Sequence, residues 1–333
     1  PQFSPLAVVF PLLSVLGVGL AWILGRHQRS ALLRHGFSPD HVEHVVNVRD
    51  DAREPTKPNW WILGGSLVFV LFTLTVGFGG FSYSEEIVFV GSMAIVLFLM
   101  ARLVRELESD KRFILVGTAV VVFIFRAIPG TGPGTTWWMI DQLKFDQQFL
   151  SILSLIGSTL TLVGMFTFRR FMAERSIAYV IGFLTVIGTI LTLPVVSMFY
   201  GLHEWTARIT GGIVDARFIA LIDTALESPL GQISMIPMLA WIANSAPANL
   251  KATFFAVMAS FTNLALYLSQ LGTKYMNDIY VVSREVRDQA SGVVQNPADY
   301  SQLGTLLVAQ LLLGLALPVV AIVFAKVTRF KSA

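Results

Sequence analysis

The stretch GTLLVAQLLLGLALPVVAIVFAKV, Gly304 to Val327, carries one charged side chain, Lys326, close to its end. At a rise of about 1.5 Å per residue such a run crosses the roughly 30 Å of hydrocarbon in a bilayer. Backbone polar groups in lipid must be satisfied within their own segment, so the run reads as a membrane-spanning helix and not as a loop or an open strand. Eight further apolar blocks precede it: Pro5–Gly25, Trp60–Gly80, Ile87–Val104, Phe113–Pro129, Phe149–Phe168, Ile177–Tyr200, Phe218–Ala243 and Ala252–Gly272. They do not alternate apolar with polar residues, which argues against a β-barrel. The expectation is an all-α, polytopic transmembrane protein of about nine helices.

Composition agrees with this. Of 333 residues, 54% are hydrophobic and 14% charged, against about 25% charged in an ordinary soluble domain. The net charge of +3 comes from basic residues clustered at the ends of the apolar blocks, where they set topology instead of binding nucleic acid. With no cysteine, a disulfide, a thiol nucleophile and a Cys-ligated zinc or iron–sulfur site are excluded.

Alternate connections face alternate sides of a membrane. One side receives Arg26, Arg29, Arg34, Arg49, Arg53, Lys57, Arg102, Arg105, Lys111, Arg112, Arg169, Arg170, Arg175, Lys251, Lys326, Arg329 and Lys331. The other receives Lys144, Arg208, Arg217, Lys274, Arg284 and Arg287. The richer side is expected to be cytoplasmic, which puts the C-terminus in the cytoplasm and Pro1 outside; which membrane is crossed is not encoded in these counts. Residues 26–59 read as a cytoplasmic loop with a short amphipathic helix. Residues 273–303, with Val281, Val282 and Val286 among alternating charges, read as a surface helix on the outer side. Neither resembles a catalytic domain. Because Pro1 is not methionine and no leader pattern precedes the first block, natural sequence is expected upstream.

Two stretches carry a family resemblance. One is FIFRAIPGTGPGTTWWMIDQLKF, Phe123–Phe145, followed by SLIGSTLTLVGMFTFRRF, Ser154–Phe171; the other is DTALESPLGQISMIPMLAWIANSAPANLKATFFAVMASFTNL, Asp223–Leu264. From residue 113 to the end the chain resembles the folate-biopterin transporter family of the major facilitator superfamily. An acidic residue, a Gly-Gln, a Pro-containing helix, a turn with Pro and a small-residue helix ending in Asn recur there in this order. Here they are Asp223 and Glu227, Gly231 and Gln232, Pro237, Pro247, and Asn263. The resemblance implies a six-helix C-terminal half over residues 113–333, preceded in residues 1–112 by the last three helices of an N-terminal half. It also implies a secondary active transporter, not an enzyme, that moves a folate, pterin or similar organic anion by alternating access. Proton-coupled symport is part of that expectation, with solute, lipid bilayer and a coupling proton as partners and no cofactor. A different class stays open: a non-transporting protein of the same fold that assists membrane-complex or pigment assembly.

Asp223 and Glu227 are four residues apart, share a helix face and lie in an apolar block, where ionisable groups are costly and face a cavity or a partner. They read either as coupling groups or as structural bonds to neighbouring helices. Pro229 removes a backbone donor just beyond them, so a kink or break is expected there. Arg126 is a candidate to pair with Asp223 or hold a solute carboxylate, or else to snorkel to the interface. Ser154 and Ser158, with Ser151 and Thr161, form one polar stripe; Asn263, Tyr267 and Gln270 form another. Both stripes suit either an aqueous path or the bonding of helices to one another. Trp137 and Trp138 read as interfacial anchors or as a stacking surface for a flat heterocycle. His27, His35, His41 and His44 read as solvated, with no metal site. Gly130, Gly132 and Gly134 make no phosphate loop.

Overall fold

The computed structural model describes residues 60–105, 107–245, 251–288 and 293–328, with residues 20, 23, 26, 27 and 30–36 upstream. The chain divides into two compact units, Pro1–Lys57 and Pro58–Ala333. In the first, residues 30–34 are helical, and Ser30 Oγ donates to the His27 carbonyl at 2.8 Å. The expected span Pro5–Gly25, nearly all of which is undescribed, and the loop residues His41 and His44 lie outside the described residues.

In the second unit the order is α1 (Trp60–Phe78), α2 (Ser84–Val104), α3 (Ser109–Arg126), α4 (Gly134–Asp141), α5 (Gln147–Thr167), α6 (Arg169–Glu174), α7 (Ile177–Phe199), α8 (Leu202–Ile209) and α9 (Ala216–Glu227). A 3-10 turn at Ser228–Leu230 follows, then α10 (Met235–Ser245), α11 (Lys251–Ile279), strands β1 (Val286–Arg287) and β2 (Val294–Asn296), and α12 (Leu303–Val327). Among the described residues, α2, α5, α7, α11 from Thr253 and α12 are each long and apolar enough to cross a bilayer, and Leu63–Phe78 is a shorter apolar helix. The protein is therefore an all-α polytopic membrane protein. Its many exposed Leu, Val, Ile and Phe side chains suit hydrocarbon and not water.

Helix starts follow local chemistry. Asp146, Ser176 and Asp215 each accept a hydrogen bond from the backbone N–H three residues on, at 2.7, 3.3 and 2.8 Å, which satisfies a donor that the first turn leaves unpaired.

The break expected at Pro229 is present: the block Phe218–Ala243, drawn as one apolar span, is divided at the 3-10 turn that holds this proline. One expectation is corrected. The described residues of 280–302 do not form a surface helix. Instead α11 runs on to Ile279, and β1 pairs antiparallel with β2, Val286 opposite Asn296. Ser283 and Asp299 close the base of this hairpin with two backbone hydrogen bonds of 3.0 and 2.9 Å. The β-branched Val281, Val282 and Val286 favour extended backbone, and Val282 packs so closely on Gly134 that a Cβ there would lie 2.8 Å from its Cγ1.

The core is split along the helix axes. One cluster contains Leu99, Val121, Ile181, Ile242, Phe254 and Ala321; a second contains Trp138, Phe145, Met198, Ala220, Met276 and Leu306. Helix α7 contributes Ile177 and Ile181 to the first and Val196 and Met198 to the second. Likewise α12 contributes Ala321 and Ala325 to the first and Leu303, Leu306 and Leu307 to the second. Between these plugs α7 carries Thr185, Thr189 and Thr192, and α12 carries Gln310. Trp138 is buried in the second cluster and tilts against Phe199 at 5.6 Å, so it is neither an interfacial anchor nor an open stacking surface.

Candidate functional site

The break after α9 is held from the side by α5. Thr161 Oγ1 donates to the Ser228 carbonyl at 2.8 Å, and a Cβ on Gly164 would lie 2.1 Å from the Pro229 carbonyl oxygen. Only glycine permits that approach, so helix and turn touch backbone to backbone.

This geometry sets the two carboxylates. Asp223 is buried, and its Oδ1 has no hydrogen-bond partner among the described residues. Glu227, one turn on, lines a cavity of about 200 Å³ with Thr185, Thr189 and Thr192 of α7 and Gln310 of α12. Phe125 and Ile128, at the end of α3 and just beyond it, close the cavity on another side.

Arg126 does not pair with Asp223. Its Nε donates to the Thr262 carbonyl at 3.3 Å, and a terminal nitrogen contacts Met238 Sδ at 3.8 Å. Both partners are neutral, so the guanidinium has no carboxylate partner among the described residues. It is half-buried, between α10 and α11.

The other candidates are scattered. Gln232 is half-buried in the turn between the 3-10 segment and α10, where its carbonyl accepts from Met235 N at 3.2 Å. Ser154 and Ser158 are exposed on α5, with Ser158 Oγ donating to the Ser154 carbonyl at 2.8 Å. Asn263 and Gln270 are exposed on α11. Tyr267 instead turns to α2, donating to the Glu85 carbonyl at 3.2 Å and stacking on Phe89 at 6.2 Å. Asp223 and Glu227 thus share one place, whereas the second stripe packs partly against α2.

Charged groups also cluster beside the hairpin. Asp141 accepts from Arg284 at 3.2 and 3.0 Å and from the Tyr300 hydroxyl. The Tyr300 hydrogen bond first, and the Arg284 guanidinium next, hold the Asp141 carboxyl below the usual aspartate range. Burial, and then the bond to Asp141, push the Tyr300 phenol up to about 12. At the same end Lys274 of α11 meets Glu85 and Glu86 of α2 at 2.9 and 3.1 Å, and Tyr275 donates to Glu86 at 2.6 Å.

Sequence reading missed Thr185, Thr189, Thr192 and Gln310. A signal was present, since the three threonines recur at helical spacing in an otherwise apolar run. What it lacked was the partner helix that brings Glu227 opposite them.

A family model described as the BT1 family matches residues 63–331. The match begins inside α1, some way upstream of the residues that carried the sequence resemblance. A folate-biopterin transporter from Synechocystis is 28% identical over 168 residues, 50% of this chain and 32% of that relative. The matched region therefore spans about a third of the relative's length. No solved structure matches.

Proposed function

This chain belongs to the BT1 family, that of the folate-biopterin transporters, and we propose that it moves a small organic anion of the folate or pterin class across a membrane, coupled to a proton. The observation that carries this reading is the carboxylate pair at the broken helix. Asp223 has a buried oxygen without a hydrogen-bond partner, and Glu227 opens onto a polar cavity midway between two apolar plugs. Ionisable groups at such depth mark solute or ion pathways, and a discontinuous helix is where transporters commonly place their sites.

In this reading Arg126 binds the solute's carboxylate, for which a planar fork of donors is suited, and the absence of a carboxylate partner among the described residues supports that role. Gln232, Asn263, Gln270, Ser154 and Ser158 line the solute path, while Tyr267 orients α11 against α2. Residues 113–333 form the C-terminal half, and the part of the chain before them belongs to the N-terminal half. Alternating access then separates and rejoins α2 and α11, with the C-terminus in the cytoplasm.

The test is uptake of labelled folate and biopterin into cells expressing the protein, at two external pH values. Saturable uptake, faster at the lower external pH and losing that pH dependence in Glu227→Gln, is the expected result. Absence of uptake of either compound, or an unchanged pH response in Glu227→Gln, would sink the respective half of the proposal.

A further inference from the structure

We propose that the groove between α2 and α3 binds one phospholipid of net negative charge, its phosphate held by Arg105 and Arg112 and an acyl chain lying along the apolar stripe below them. The inference goes beyond the transport reading and does not depend on which solute the protein moves.

The two helices are joined by a short turn, yet they pack mainly on other partners: α2 on α1 and α11, and α3 on α12, α11 and α7. Between them lies a cavity of about 340 Å³, lined by Leu97, Ala101 and Val104 of α2 and Val116 of α3, with Arg105 and Arg112 at its end. The spacing of Leu97, Ala101 and Val104 puts them on one face of α2, and from Leu97 to Arg105 that face runs about 12 Å along the helix. A groove of this volume seats a flexible chain and not another helix, whose diameter with side chains is about 10–12 Å. Val116 also borders a cavity of about 110 Å³ against Phe324 and Ala325 of α12, so apolar lining continues along α3.

The aromatic residues beside the groove fix its depth. Trp60 and Trp61 are exposed at the start of α1, as residues at a membrane–water boundary are. The Arg102 guanidinium lies 4.7 Å from the Trp61 ring and 5.6 Å from that of Phe98, which levels the last turn of α2 with that boundary and occupies Arg102 on the α1 side. Arg105 and Arg112 therefore stand at the depth of lipid phosphates, with the apolar stripe below them. Arg112 Nη2 donates to the Arg105 and Leu107 carbonyls, both at 3.2 Å, which closes the turn and fixes the guanidinium. Its Nε is buried without an acceptor among the described residues. A snorkelling arginine would reach for water, whereas this one is turned back into the protein. Arg105 is exposed, and its side chain makes no hydrogen bond or ion pair among the described residues. Glu108 is taken by Lys111 at 2.9 Å. A half-buried guanidinium without a counter-charge is costly, and a phosphate supplies both the charge and the paired acceptors that the planar fork fits. Basic pockets between membrane helices recognise anionic headgroups in this way; a zwitterionic lipid would bring its ammonium group among Arg102, Arg105, Lys111 and Arg112.

The experiment is thermal unfolding of the purified full-length chain in a neutral detergent, titrated with phosphatidylglycerol or with phosphatidylcholine of the same acyl chains. A ligand that binds the folded state raises Tm with ligand concentration. Arg105→Gln removes a charge that holds no other group, Ala101→Phe fills the groove and leaves the charges in place, and Arg175→Gln removes a charge outside the groove as a control. The expected result is a rise in Tm with phosphatidylglycerol that exceeds the rise with phosphatidylcholine. Its apparent affinity should fall at least tenfold in both Arg105→Gln and Ala101→Phe and stay unchanged in Arg175→Gln. Equal stabilisation by the two lipids, an unchanged response in either groove variant, or an equal loss in Arg175→Gln overturns the proposal. Inorganic phosphate, titrated against chloride at constant ionic strength, separates the lipid from a free anion: stabilisation by phosphate alone, lost in Arg105→Gln and kept in Ala101→Phe, also overturns it. Because no transport is measured, failure of folate uptake would overturn the solute reading and leave this result standing.

Discussion

At the level of single residues, Asp223 and Gly164 make opposite demands. A buried polar atom without a partner costs about 1–3 kcal/mol, and Asp223 Oδ1 is such an atom among the described residues. Asp223→Leu is therefore expected to raise the Tm of the purified protein while abolishing coupled uptake. A lowered Tm with uptake retained would make Asp223 a structural residue. Gly164 is held by shape alone: a Cβ would strike the Pro229 backbone, which cannot move aside as a side-chain end can. Gly164→Val should destabilise by about 1–3 kcal/mol through overpacking, read as a lower Tm, with disruption of the turn that positions Glu227. The value of a glycine at residue 164 was not legible in the sequence, where it reads as one small residue in an apolar run.

Among elements, the hairpin between α11 and α12 is clamped by Asp141, Arg284 and Tyr300. Asp141 is held below its ordinary value, chiefly by the Tyr300 hydroxyl and then by Arg284. A depressed aspartate contributes stability above its unfolded value, near 3.9, and loses it as pH falls through the folded value. Tyr300 has the opposite sign. Raised to about 12, it contributes stability below the unfolded tyrosine value near 10 and loses it as pH rises through the folded one. Tyr300→Phe is expected to move the midpoint of acid unfolding of the hairpin to higher pH, followed by hydrogen exchange at the Ser283 and Asp299 amides. An unmoved midpoint would show that Arg284 alone holds the carboxylate. The same loop shows where periodicity misleads: alternating charges and valines there suit a strand as well as a surface helix, and contacts with Gly134 decide between them.

For the molecule as a whole, the α2–α11 contact is the place to look for motion. Lys274 spans Glu85 and Glu86, and Tyr275 and Tyr267 add bonds to the same helix end. If alternating access separates these helices, locking them must stop transport. The chain has no cysteine, so Glu86→Cys with Lys274→Cys provides a clean pair for a short bifunctional thiol reagent with a reducible bridge. Cross-linking should abolish uptake and reduction should restore it; uptake that persists in the cross-linked protein would exclude separation at this contact.

The apolar blocks by themselves determined an all-α membrane protein, because hydrocarbon leaves the backbone no other partner than its own helix, and motif order over Asp223–Leu264 pointed to the family that the BT1 match shows. The break at Pro229 was also readable, since a missing donor is a local property. Tertiary structure alone decided that Arg126 bonds Thr262 and Met238 instead of Asp223, that Tyr267 faces α2, and that Thr185, Thr189, Thr192 and Gln310 meet Glu227. These are contacts between helices far apart in the chain. Periodicity reports which face of a helix is polar, and only packing reports what that face meets.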